Sequence, residues 1–334
     1  MKVILILSML SIVLGGTCQD MQFTQFNAAP LYLNPAFTGA TIEHRFATNY
    51  RNQWTAIPGH FVNYTFAYDY NLAEFNSGIG LLFAREQAGT GGLGNTEIGF
   101  LYSYHFRIDN KVFIQPGIKF NYISRGVDFS KLVFNDQLAR GGPANGPSSD
   151  DIELNNVSYI DVTAGFLVYS AKYWAGVSFN HINEPNQSLT NDESPLFMKF
   201  SAHGGYKIEL SEGGRKTLNT SYFNIAAHYK AQQKFDQLDL GVYYTREPFT
   251  FGVWYRGLPG IKSYEGVLNN DALAIILGYQ VIDYNLKIGY SYDVTVSRLA
   301  ANSAGSHEIS LIYEVASKKK KRRSRRFFVP CAKF

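Results

Sequence analysis

Cysteine is nearly missing from this chain: Cys18 and Cys331 are the only two in 334 residues. At most they pair with each other, so a disulfide framework is excluded. Metal-ligand spacing is missing as well. The seven His, at 44, 60, 105, 181, 203, 228 and 307, are scattered, with no His-Glu-x-x-His and no Cys-x-x-Cys. Charge is scarce, at 17% of residues, where soluble domains carry about 25%. No apolar run reaches the roughly 20 residues that a helical membrane span needs, and mean hydropathy is −0.15. A helical membrane protein is therefore excluded. A nucleophile elbow G-x-S-x-G is absent too. Gly89-Thr90-Gly91-Gly92-Leu93-Gly94 matches the dinucleotide fingerprint in letters, but that motif works only where a strand turns into a helix. Here another strand-like segment follows, so neither a cofactor nor an enzymatic activity is expected.

What the chain does hold is aromatic and alternating. Tyr numbers 23 and Phe 25. In 61–70, Val62, Tyr64, Phe66, Tyr68 and Tyr70 alternate with Asn63, Thr65, Ala67 and Asp69. Segments 97–108 and 284–293 do the same, setting Ile98, Phe100 and Tyr102, or Ile288, Tyr290 and Tyr292, against polar neighbours. Alternation of this kind gives a strand one apolar and one polar face. The segments run about ten residues, the length of a tilted strand crossing a bilayer, and their aromatic residues recur near the ends as in an interfacial girdle.

Fourteen such segments are expected, near 43–53, 60–70, 77–87, 96–108, 111–124, 157–170, 172–182, 197–210, 217–230, 235–245, 249–256, 272–281, 284–294 and 306–315. The links between them alternate short and long, as in bacterial outer-membrane barrels with short periplasmic turns and long outer loops. The link 231–234 breaks this rule, being short where a long one is expected. The reading is an all-β transmembrane antiparallel barrel over 41–316, with both chain ends inward. It would lie in outer-membrane lipid, and an open sheet edge there is not tolerable. Its loop 125–156, rich in Gly, Pro and Ser, would face outward. His105 and His203 fall on polar faces, where lining the lumen is the plain expectation.

The ends carry their own signals. Lys2 followed by the apolar stretch Val3–Leu14 and the small residues Gly15, Gly16, Thr17 and Cys18 reads as a signal peptide over 1–18. Cleavage between Cys18 and Gln19 is favoured over lipidation of Cys18, because Gly15-Gly16-Thr17 is a poor lipobox. Residues 19–40 precede the first strand. Leu31, Tyr32, Leu33, Asn34 and Pro35 are too apolar for an idle leader, so this segment is either a plug for a wide lumen or a simple lead-in strand. At the other end, 317–334 holds Lys318, Lys319, Lys320, Lys321, Arg322, Arg323, Arg325 and Arg326. Without these eight, 23 basic residues face 27 acidic ones. Such a run is either a solvated tail or an arm for an acidic partner, lipid phosphates or the cell wall. An exported chain meets no nucleic acid.

Several blocks resemble the PorP/SprF family of the type IX secretion system. They are Gln19-Asp20-Met21-Gln22-Phe23-Thr24-Gln25-Phe26 with Leu31–Gly39, then Tyr50-Arg51-Asn52-Gln53-Trp54, Gly289-Tyr290-Ser291-Tyr292-Asp293 and Gly305-Ser306-His307-Glu308-Ile309. The ending Cys331-Ala332-Lys333-Phe334 is similar to a Cys-Pro-Lys-Phe close, with Ala332 departing from it. The resemblance implies an outer-membrane accessory barrel. Such a barrel helps export secreted type IX cargo, or anchor it at the surface, as with adhesins used in gliding, and works with periplasmic machinery components. It implies no catalytic residues. The alternative reading is an outer-membrane channel for a small or apolar solute.

Overall fold

The computed structural model describes residues 20–109, 111–128, 132, 156–190, 192–211, 221–258, 263–264, 267–268, 270–296, 303–315 and 329. Fourteen long strands dominate it. They are β1 His44–Gln53, β2 Phe61–Leu72, β3 Ser77–Ala88, β4 Leu93–Tyr104, β5 Phe113–Gly126, β6 Val157–Tyr169 and β7 Tyr173–Asn180. The second half contributes β8 Lys199–Ser211, β9 Ser221–Gln232, β10 Phe235–Arg246, β11 Phe249–Gly257, β12 Asn270–Val281, β13 Leu286–Thr295 and β14 Ser306–Val315. Each pairs antiparallel with its sequence neighbour, and β1 pairs with β14 from His44↔Val315 to Gln53↔Ser306. The sheet therefore closes on itself. No edge is left for lipid to face.

The alternation seen in the sequence sorts the two faces. In β2, Asn63, Thr65, Ala67 and Asp69 are buried while Tyr64 and Phe66 are exposed. Phe83, Phe100, Tyr122, Phe251, Ile275, Leu277 and Tyr290 repeat the outward pattern around the ring. An exposed apolar band on every strand has no place in water, and its solvent is the hydrocarbon of a bilayer. The inward face is the reverse. Arg51, Glu308, Asp293, Asp161, Ser291 and Gln115 are all buried there.

The short links gather at one end: Ser170–Lys172, Glu247-Pro248 and Ile282–Asn285. The long ones gather at the other, among them 181–198, 258–269 and 296–305. The exception at 231–234 is a tight turn of Gln233 and Lys234, with Gln233 at φ 53°, a left-handed conformation that a two-residue hairpin needs. The Gly89–Gly94 motif leads straight into β4 with no helix behind it. Most of loop 125–156, the signal stretch with Cys18 and Gln19, and the basic tail lie outside the described residues.

The first described residues correct one expectation. β1 does start at the short-turn end, but the segment before it runs the length of the lumen. Asp20 lies at the long-loop end beside His181 and Lys199. Thr38 and Gly39 lie at the short-turn end beside Ser103 and Asp69. Strand parity fixes where β1 begins and says nothing of a segment that doubles back through the barrel.

Candidate functional site

Residues 20–41 fold as short turns rather than as a strand: Phe26–Ala28, Pro30–Leu33 and Pro35–Phe37 are each a single helical turn. Two prolines, Pro30 and Pro35, start two of them, where a missing N–H costs nothing. Asn34 caps the last by accepting from the Ala36 N–H at 2.8 Å. A lead-in strand would have paired with β1; this segment instead turns its side chains to the barrel wall on all sides.

Its outward end is held by buried charge. The Thr24 and Gln25 N–H groups donate to the two oxygens of Glu308 at 2.7 and 3.1 Å. Thr24 also donates to Asp293 and accepts from Arg51 at 2.6 Å and from Arg256 at 2.8 Å. Arg51 in turn pairs with Asp293 at 2.8 Å and Glu308 at 3.2 Å. Four sequence blocks meet here: the opening block, Tyr50–Trp54, Gly289–Asp293 and Gly305–Ile309. Buried charges survive only when paired and fully bonded, and this network supplies that.

The middle is apolar and aromatic. Leu31, Ala28 and Ala36 are fully buried. Phe26 packs edge-on against Trp254, and Phe37 lies over Trp174 and His203. His203 therefore lines the lumen, as its strand face implies, and His228 stands beside it. Asn34 donates to the Phe166 and Val177 carbonyls at 3.3 and 3.0 Å. The wall yields space at glycines. A Cβ at Gly165 would sit 1.9 Å from Asn34 Oδ1, and one at Gly117 would sit 2.5 Å from the backbone of Pro35 and Ala36.

The inward end is held by a second set. The Thr38 carbonyl accepts from Ser103 at 2.6 Å and from Gln115 at 2.7 Å, with His105 alongside. Asp69 accepts from the Gly39 N–H at 2.7 Å while paired with Arg45 at 2.8 Å. Thr41 donates to Glu314 at 3.1 Å.

Of the residues singled out beforehand, Leu31, Leu33, Asn34 and Pro35 are buried against the wall. Tyr32 is half-buried and lines a small outward cavity with Glu86, Lys119 and Lys199. At its rim, burial opposes the charge of Asp20, but Lys199 and His181 hold its carboxyl far below the usual carboxylate range. Burial likewise opposes protonation of His181, and Asp20 and Asp161 raise it to about 9. Sequence reasoning missed Arg51, Asp293 and Glu308 as anchors. Their signals were a charge on the polar face of an otherwise charge-poor strand and a place in three of the blocks that resemble the family.

Among solved structures the chain is similar to the toluene transporter TbuX of Ralstonia pickettii, with a TM-score of 0.51 and 10% identity over 86% of this chain and 94% of that one. It also matches a Pseudomonas aeruginosa FadL homologue at a TM-score of 0.43 and 12% identity, covering 90% and 96%. Acinetobacter baumannii Omp33 matches at 0.39 and 7%, covering 83% and 100%. The first of these shows a common fold, that of an outer-membrane barrel. No curated protein matches the sequence. The profile of the family described as type IX secretion system membrane protein PorP/SprF matches residues 16–313. The chain is a Gram-negative outer-membrane barrel belonging to the PorP/SprF family of the type IX secretion system.

Proposed function

We propose that this barrel is an accessory scaffold of type IX secretion, in which outward loops receive a secreted protein such as an adhesin and aid its export or hold it at the surface. One observation carries the reading: the segment 20–41 runs through the lumen from the long-loop end to the short-turn end and is bonded to the wall near both ends. On this reading the segment blocks a through-path, which leaves loops and termini as the working surfaces. The proposal takes the plug alternative of the two readings for 19–40. The rival, a channel for a small or apolar solute, is poorly served by an interior of buried Arg, Asp and Glu around a bonded segment.

The last strand ends at Val315 on the short-turn side, and the basic run from Lys318 to Arg326 follows it in the sequence. Its charge suits an acidic periplasmic component of the secretion machinery. Export after cleavage between Cys18 and Gln19 belongs to the same reading. The test is a deletion strain complemented with the intact gene. Loss of a defined subset of type IX cargo from the cell surface is expected. Normal secretion and display of every cargo would overturn the proposal.

A further inference from the structure

The outward cavity is lined by more carboxylates than cations, the latter being Lys119, Lys199 and His181. Four carboxylates line it: Asp20, Glu86, Glu97 and Asp161. Lys119 pairs with Glu97 at 2.9 Å and lies 5.6 Å from the Tyr32 ring centre. Lys199 pairs with Asp20 and lies 6.0 Å from the same ring. Asp161 is bonded to His181 at 2.9 Å and to Asn121 at 3.1 Å. Glu86 differs. Only 8% exposed, it accepts a single hydrogen bond, from Asn95 at 3.3 Å; Arg125 and Lys199 act on it from a distance, and among the described residues no cation makes a contact ion pair with it. A buried carboxylate without a cation is costly.

A second observation points the same way. Asn121 and Thr163, lining residues 2% and 1% exposed, carry atoms with no hydrogen-bond partner, Oδ1 seated over Gly99 and Oγ1, and Asn95 Oδ1 beside Glu86 is also unpartnered. The two asparagine atoms can only accept, and a threonine hydroxyl can also accept. Glu86 and Asn95 face each other across β3 and β4, while Asn121 and Thr163 sit deeper, on β5 and β6. An occupant that satisfied them would be elongated, would carry a cation at one end, and would present hydrogen-bond donors along its length. Tyr32 supplies an aromatic face that already accompanies two ammonium groups.

We propose that this cavity is a binding site for a primary ammonium group, of the kind carried by a lysine side chain or a free alkylamine, with Glu86 as its counter-ion. The site is independent of the secretion role proposed above. The test is calorimetric titration of the purified full barrel in detergent with butylammonium, with N-acetyl-lysine amide, and with butanol as the uncharged control. Saturable binding of at least one amine and none of butanol is expected. Glu86→Gln should weaken it about tenfold or more, the usual loss when one partner of a buried charge pair is removed. Asn95→Asp, which adds a second carboxylate, should tighten it. Unchanged unboiled gel mobility establishes that each variant is folded. Tighter binding of the lysine amide marks a polypeptide source, and tighter binding of butylammonium marks a free amine. No saturable amine binding, or equal binding by wild type and a folded Glu86→Gln, overturns the proposal.

Discussion

Arg51 shows how much of this molecule rests on single residues. It is 1% exposed and serves Asp293, Glu308 and Thr24 together. Arg51→Met leaves Asp293 with Arg256 at 3.2 Å and Glu308 with no ion pair among the described residues. Removing one partner of a buried pair costs about 3–5 kcal/mol, so the midpoint of heat-induced gel shift should fall clearly. Adding Glu308→Gln to that variant should cost less than the two changes summed, because both act on one network. Full additivity would argue that Arg51 and Glu308 act apart. His181 gives a pH signature at the same scale. Its folded-state value, about 9, lies above the ordinary 6.5, so its contribution is complete below about pH 6.5 and fades as pH rises through 9. Thermal stability should therefore drop between pH 7 and 10, and His181→Gln should flatten that part of the profile. A profile with the same slope in both proteins would remove His181 from the clamp.

At the scale of elements, the strands were legible and the lumen segment was not. Period-two alternation names a strand and its two faces, and in Val62–Tyr70 every assignment of face agrees with the observed burial. The parity of links gave orientation for the same local reason, since a turn is short or long in the sequence itself. Residues 20–41 have no such period. Their form comes from Pro30, Pro35 and the Asn34 cap, and their path comes from partners more than 100 residues away, such as Phe166, Asp293 and Glu308. Gly117 and Gly165 carried a signal without a meaning: interior strand positions with no side chain mark where another backbone approaches. Gly117→Ala would press on the backbone of Pro35 and Ala36, whereas Gly165→Ala would press on the Asn34 side-chain amide, which can turn aside by giving up its bonds to Ala36, Phe166 and Val177. Overpacking costs about 1–3 kcal/mol, and the first change should be the more damaging. Hydrogen exchange should show faster exchange across 31–38 in Gly117→Ala than in Gly165→Ala, with barrel strands protected in both. The reverse order would mean that the segment is seated elsewhere.

At the scale of the whole molecule, closure, orientation and a filled lumen are one design. Fourteen strands make a ring too wide for wall side chains alone to fill, and the chain supplies its own segment to occupy it. Orientation is checked by labelling in a Cys331→Ser background. A membrane-impermeant maleimide should label Glu193→Cys, in the long link after β7, on intact cells. It should label Glu74→Cys, in the turn after β2, only after the outer membrane is permeabilised. Reversed labelling would invert the barrel. The claim on which the rest depends is that residues 20–41 close the lumen, and planar-bilayer conductance of the purified barrel tests it most directly. The intact chain should show no sustained ion current, and a chain lacking residues 19–40 that still folds by gel mobility should conduct steadily. A steady current through the intact barrel would contradict the account.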